Sequence, residues 1–347
     1  MTTDISASYL GLRLRSPIVV GSSPMTLNPE TVRELEIAGA GAIVLPSLFE
    51  EQIVHDLLQR GEHARSAEMQ IESLNYEQKE DEYNGGPQAY LDSIAKLKAL
   101  SSMPVIASLN GCTDGRWLTY ATQVQEAGAD ALEIAVESAM LSPSLSADEV
   151  EQRMIDCISD LCDQTTIPVS VKLSPFHTNL PNLAWRLIEA GASGFICFAH
   201  DTNWRVSTEN VFASLNWPLT SPGDINQTVA GLIRVRCGGP SISVAASGGI
   251  ASADDICKLV IAGADVAMIT SEIHRSGPSI VANLIDGIAN YLRGHRFDSF
   301  EQFIRARPTP RTFLRSEYLH CLTQARRSDA STPATHRQEG DRWGHLL

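Results

Sequence analysis

The chain has 347 residues, 43% of them hydrophobic and 20% charged, with a formal net charge of -14. That length and apolar content suffice for one large core, and so acidic a surface repels nucleic-acid phosphates and anionic lipid, so neither is expected as a partner. The seven cysteines are scattered and contain no Cys-x-x-Cys, which argues against a disulfide framework or a metal site and for buried thiols in a reducing, cytoplasmic compartment.

The first residues carry no charged segment leading into an apolar run, and no apolar run approaches about 18 residues, so neither export nor membrane spanning is expected. The first strand is predicted at Pro17-Ile18-Val19-Val20-Gly21, followed by a helix over 29–38. The phrase Ala38-Gly39-Ala40-Gly41 then stops that helix and starts strand 2, and it returns as Ala127-Gly128-Ala129, Ala190-Gly191-Ala192 and Ala262-Gly263-Ala264 before strands 4, 6 and 8. Each copy places a glycine where a helix stop needs a left-handed residue. Strands 3, 5 and 7 are the apolar runs opening at Pro104, Pro168 and Ile242. Eight short strands, apolar on both faces and separated by crossover-length segments, predict an all-parallel sheet closed as a single (β/α)8 TIM barrel, with no Gly-x-Gly-x-x-Gly after strand 1 to suggest the open alternative.

Barrel chemistry gathers where strands end. Two βα connections are long: one runs from Pro46-Ser47-Leu48-Phe49-Glu50-Glu51 to Asn84-Gly85-Gly86-Pro87, with an acidic solvated tip at 77–82, and the other covers 202–221 with Trp204 and Trp217. Glu50 and Glu51 read as charges at a helix start rather than a catalytic pair. Residues 1–325 are assigned to the barrel and 326–347 to a dispensable, disordered tail, poor in apolar residues.

The strongest local signal is Ser247-Gly248-Gly249, a glycine turn before a helix starting near Ser252, where uncovered N–H groups and the helix dipole favour a phosphate. Thr270 and Ser271, after strand 8, lie beside it in a barrel. Lys172 interrupts the apolar strand 5 and needs an anion or an electron-rich ligand. It also suits an imine-forming nucleophile. Glu133, inside strand 4, must be paired or face the mouth, and Asn110, Glu137, Ser138 and His200 are polar strand-end residues with weaker claims.

Taken together, Tyr9-Leu10-Gly11-Leu12, Ser16-Pro17-Ile18-Val19-Val20-Gly21-Ser22, Val171-Lys172-Leu173-Ser174-Pro175-Phe176 and Ala246-Ser247-Gly248-Gly249-Ile250 resemble the dihydroorotate dehydrogenase family, to about residue 291. Leu45-Pro46-Ser47-Leu48-Phe49-Glu50-Glu51-Gln52 is similar to the signature of its class 1-like, dihydroorotate dehydrogenase-like branch. The resemblance implies a pyrimidine-biosynthesis type of oxidoreductase that binds FMN across the strand ends and moves hydride from a CH–CH donor to flavin N5. By the same resemblance, Gly21, Ser22, Asn110, Lys172, Ser247, Gly248, Gly249, Thr270 and Ser271 form the flavin-binding set. Lys172 then stands beside ring atoms N1 and O2, and Ser138 occupies the position of the catalytic base.

The departures concern the substrate. Pro46 stands where the family places a second lysine, and Ala135 and Ala199 replace asparagines, which points away from dihydroorotate. Ala199 and Thr270 also depart from the usual flavin contacts. The expected partners are a small-molecule substrate and a soluble electron acceptor or redox partner protein, in a chain whose fold also allows a homodimer. Two other readings are an aldolase or lyase with an imine at Lys172, and a catalytically idle flavin-binding subunit.

Overall fold

The computed structural model describes residues 3–60, 83–111, 120–136, 144–199, 203–208, 212–239 and 241–308. An antiparallel hairpin comes first, β1 (Ala7–Tyr9) with β2 (Leu12–Leu14). Its two turn residues, Leu10 at φ 53° and Gly11 at φ 75°, both adopt the left-handed conformation of a tight hairpin loop. Tyr9, Leu10 and Leu14 are buried, and the Leu10 N–H is donated to Ser243 Oγ at 3.1 Å.

The remaining strands, in chain order, are β3 (Ile18–Val20), β4 (Ala42–Val44), β5 (Leu48–Phe49), β6 (Val105–Gly111), β7 (Ala131–Val136), β8 (Val169–Leu173), β9 (Gly194–Cys197), β10 (Asn203–Ser207), β11 (Phe212–Asn216), β12 (Ser243–Ser247) and β13 (Val266–Ile269). Eight of them, β3, β4, β6, β7, β8, β9, β12 and β13, pair in that order as a parallel ladder, and β13 pairs back onto β3. The barrel expected from the sequence is therefore closed, and β5 pairs in parallel alongside the C-terminal end of β6.

The helices are α1 (Pro29–Ile37), α2 (Glu50–Gln59), α3 (Gly86–Leu100), α4 (Tyr120–Glu126), α5 (Ala147–Gln164), α6 (Leu180–Glu189), α7 (Asn226–Gly238), α8 (Ala253–Ala262), α9 (Ser271–Ser276), α10 (Ile280–Gly294) and α11 (Phe300–Ala306). Among the described residues none is long and apolar enough to cross a membrane. Cys162, Cys197, Cys237 and Cys257 are free thiols.

The four repeated phrases have one structural cause. Gly39, Gly128, Gly191 and Gly263 all have positive φ, between 97° and 135°. In every copy the following alanine reaches back five residues, Ala40 to Leu35 O, Ala129 to Val124 O, Ala192 to Leu187 O and Ala264 to Leu259 O. This is the Schellman helix stop, which only glycine enters without strain. The next residue then bonds the preceding barrel strand: Gly41 N–H to Ile18 O, Asp130 to Val105 O, Ser193 to Val169 O and Asp265 to Val244 O. One turn thus ends a helix and sets the register of a strand.

Asp265 does more than set register. Its carboxylate accepts from Arg236 Nη2 at 2.7 Å, Arg307 Nη1 at 2.9 Å and the Val244 N–H at 2.9 Å, joining α7, β12, β13 and the residue after α11. The Arg236 side chain is 1% exposed, and burial pulls its ionisation down while Asp265 opposes that shift. This network lies at the N-terminal end of the strands, the face of a barrel that serves stability.

Two long connections differ from expectation in their regular content. Residues 203–216 contain the antiparallel pair β10 and β11, in register from Asn203↔Asn216 to Ser207↔Phe212. Asn203-Trp204-Arg205-Val206-Ser207 alternates polar and apolar residues, a short strand signal that a reading of this segment as a loop passes over. The connection after β4 begins with β5 and α2, whose first turn holds Glu50 and Glu51 as anticipated. Its acidic tip at 77–82, and the barrel boundary and tail assigned around 325 and 326–347, lie outside the described residues.

Candidate active site

The C-terminal ends of the barrel strands open into one cavity of about 1040 Å³. This is the upper end of the range of roughly 300–1,000 Å³ typical of ligand and cofactor sites. Gly21, Ser22, Asn110, Lys172, Ser247, Gly248, Gly249, Thr270 and Ser271 all line it, so nine of the sequence-selected residues converge from β3, β6, β8, β12 and β13. Ser138, Glu137 and His200 lie outside the described residues.

Lys172 meets its anion inside the barrel. Its Nζ is 2.6 Å from Glu133 Oε1 across the β7–β8 ladder, with the lysine side chain 15% exposed and the glutamate 1%. Ser108 Oγ, from β6 on the other side, donates to the same oxygen at 3.2 Å. Among the described residues Glu133 Oε2 has no hydrogen-bond partner, and it is fully buried. The sequence requirement that both Lys172 and Glu133 be paired is met by each other.

At the other end, Gly248 (φ 100°) and Gly249 (φ 72°) form the turn before α8, which starts at the capping box of Ser252 and Asp255. A Cβ on Gly248 would stand beside open space, with Thr228 Oγ1 nearest at 3.9 Å. The turn is less bare than the sequence suggests. Gly249 donates its N–H to Thr220 Oγ1 at 3.2 Å, its carbonyl accepts from Gly223 N–H at 2.7 Å, and Thr220 in turn donates its N–H to Ser271 Oγ at 3.1 Å. A segment from the second long connection therefore braces the glycine turn and the start of α9. Gly21 is glycine because a Cβ there would lie 2.3 Å from Thr270 Oγ1.

A Cβ on Gly249 would lie 2.1 Å from the Asp224 carbonyl oxygen. Gly249→Ala is expected to cost about 2–5 kcal/mol, the sum of overpacking and a left-handed backbone. Gly248→Ala should cost only the backbone share of about 1–2 kcal/mol. Urea midpoints of the two variants check this, and equal midpoints would contradict it.

Sequence reading missed four contributors. Tyr83 (φ 64°) lines the cavity and accepts the Ser47 N–H at 3.2 Å, with its ring 5.8 Å from that of Phe49. Burial raises its phenol, against the lowering effect of the Lys172 charge and of hydrogen bonds from Ser47 and Ser22. Its position is held by Asn84, whose side chain bonds Ser47 O and Gln52. Thr220 and Thr228 arrive from a loop and a helix with no periodic signature. His274 Nε2 lies 3.1 Å from Ser23 Oγ. A non-glycine residue at positive φ beside Asn-Gly-Gly is a property of the folded backbone that has no sequence signature.

These features define the class: a parallel barrel enzyme whose mouth joins a buried lysine–carboxylate pair to a glycine turn. The family model for dihydroorotate dehydrogenase matches residues 7–292. The chain belongs to the dihydroorotate dehydrogenase family, as its sequence resemblance implies, and so to the oxidoreductases acting on CH–CH donors. It is 23% identical over 312 residues to the catalytic subunit of dihydroorotate dehydrogenase B (NAD(+)) of Thermoplasma acidophilum, covering 87% of this chain and 98% of that one. The corresponding subunit of Pyrococcus abyssi is 23% identical over 311 residues, covering 86% and 98%. The NAD-dependent dihydropyrimidine dehydrogenase subunit PreA of Escherichia coli is 21% identical over 321 residues, covering 88% and 77%.

Proposed function

We propose that this protein is an FMN-dependent oxidoreductase of the cytoplasm, oxidising a CH–CH bond of a small donor other than dihydroorotate. The observation that carries the reading is one cavity holding the ion-paired ammonium of Lys172 at one strand end and the open glycine turn at Gly248 at another. A flavin mononucleotide requires both a cation near the ring atoms that become anionic on reduction and amide donors for its phosphate. Lys172, Ser22 and Asn110 would hold the ring, and Ser247, Gly248, Thr270 and Ser271 the phosphate end. When bound, FMN supplies the hydride acceptor.

The chain's own residues supply the rest. Lys172 offsets the negative charge that reduction adds, Phe49 and Tyr83 wall the cavity against water, and Ser138 takes the donor's proton, its hydroxyl relieved by a neighbour or water. Ala135 and Ala199 present only methyl groups to the cavity, so a donor bound through its carboxylate and amide edges finds no partners there. Electrons leave through a redox partner protein, in keeping with relatives named as catalytic subunits. Free thiols and the absence of a spanning helix among the described residues accord with the cytoplasm.

Anaerobic mixing of the purified, flavin-loaded protein with dihydroorotate and with uncharged cyclic dihydro compounds tests the reading. Bleaching is expected with an uncharged donor and not with dihydroorotate. Ser138→Ala should keep the flavin but bleach at least about 100-fold more slowly. Bleaching by dihydroorotate alone, or an unslowed variant, would contradict the substrate or the base. Borohydride that fixes a carbonyl compound to Lys172 would instead support the imine reading.

A further inference from the structure

A line of hydroxyls runs from the cavity to the buried carboxylate under Lys172. Ser47 lines the cavity, its Oγ is 2.8 Å from Ser108 Oγ, and Ser108 Oγ donates to Glu133 Oε1 at 3.2 Å. A hydroxyl has one proton to give. Since Ser108 gives its proton to Glu133, the Ser47 hydroxyl must be the donor to Ser108, and the whole line points inward. Ser108 is itself pinned, its N–H donated to Tyr90 Oη at 2.8 Å and its carbonyl accepting from the same hydroxyl at 3.1 Å.

The electrostatics give this line a task. In the resting site one ammonium and one carboxylate balance, at 2.6 Å and nearly out of solvent. Reduction of a cofactor beside Lys172 adds a negative charge that competes for the ammonium. Glu133 is then a buried carboxylate sharing its cation, with a second oxygen that has no partner among the described residues. An uncompensated buried charge is costly, and the least costly remedy is a proton.

Resting on the flavin reading above, we propose that Ser47, Ser108 and Glu133 form a proton relay, and that Glu133 takes up one proton from the cavity each time the cofactor is reduced by two electrons. The proton balance is simple. Ser108 passes its hydroxyl proton to Glu133, takes the one on Ser47, and Ser47 is resupplied from cavity water. The electrons come only from the CH–CH donor, and none moves along the relay.

The titratable and charged groups facing Glu133 are Lys172 on β8, Tyr9 on β1 and Tyr90 on α3, with the uncharged Ser108 of β6 and Ser170 of β8 beside it. Burial drives both phenols well above the ordinary tyrosine range, with the Glu133 charge the next cause at Tyr9 and a smaller one at Tyr90, so they stay neutral.

The test is the pH dependence of the flavin midpoint potential between pH 7 and 9, measured by spectral redox titration of the holoprotein. For a two-electron couple each proton taken up contributes about 30 mV per pH unit, the value of a tenfold change. The wild type is expected to show about 60 mV per pH unit, one proton arriving with the hydride and one on Glu133, and Glu133→Gln about 30 mV. The reduced-minus-oxidised infrared spectrum should contain a carboxylic acid carbonyl band that Glu133→Gln lacks.

Ser108→Ala should retain the wild-type slope but take up its proton at least 10-fold more slowly after photoreduction, as read with a pH indicator. A wild-type slope near 30 mV per pH unit, or a band that survives in Glu133→Gln, overturns Glu133 as the acceptor. Unslowed uptake in Ser108→Ala overturns the route. Protein that takes up no flavin shows no visible spectrum before any potential is measured, and it removes the flavin reading and the relay with it.

Discussion

Lys172→Ala is expected to purify with at least 10-fold less flavin than the wild type and to melt at a lower temperature. Both effects follow from one ammonium with two partners. Towards the cavity it is the cation of the proposed ring site, and towards the interior it is 2.6 Å from a glutamate that is 1% exposed. Removing one member of a buried ion pair costs roughly 3–5 kcal/mol, because the other is left desolvated. The two roles separate in a double variant. Lys172→Met with Glu133→Leu replaces the pair by apolar side chains and should recover most of the stability, since such replacements are often neutral. It should not recover the flavin. Thermal melts and extracted flavin per chain check this, and a double variant that regains its flavin would show that the lysine serves the fold alone.

Asp265→Ala is expected to be the most destabilising change remote from the cavity. The carboxylate ties together Arg236, Arg307 and the Val244 N–H, and the Arg236 side chain has almost no solvent to fall back on. A loss of roughly 3–5 kcal/mol is expected, read as a lower urea midpoint with an unchanged slope. Asp265→Asn keeps acceptor geometry and should lose less. Because the network sits at the opposite end of the strands from the cavity, the folded fraction of either variant should bind flavin as the wild type does. An unchanged urea midpoint for Asp265→Ala would mean that Arg236 is satisfied without its carboxylate.

The barrel was legible because its repeats are physical. Gly39, Gly128, Gly191 and Gly263 each mark a helix stop that no other residue enters cheaply, and each stop delivers the chain to the neighbouring strand. The lysine and glutamate were legible for the same kind of reason, since a charge inside an apolar strand demands a partner. What sequence could not supply was the choice of partner, because Glu133 and Lys172 meet through the register of β7 and β8. The bracing of Gly249 by Thr220 was invisible because loop contacts have no period, and Tyr83 because its role follows from a backbone conformation. The hairpin of β10 and β11 was partly legible, since Asn203-Trp204-Arg205-Val206-Ser207 alternates polar and apolar residues. Ser47 and Ser108 look like ordinary small strand-end residues until their 2.8 Å contact is seen.

The central claim is that the mouth of this barrel holds FMN between Lys172 and the turn at Gly248. Its most direct test is titration of flavin-stripped protein with FMN and, separately, with riboflavin, followed by flavin fluorescence and calorimetry. The account predicts one FMN per chain, with riboflavin binding at least 10-fold more weakly because the glycine turn has no phosphate to grip. Protein that binds neither, or that binds riboflavin as tightly as FMN, would contradict it.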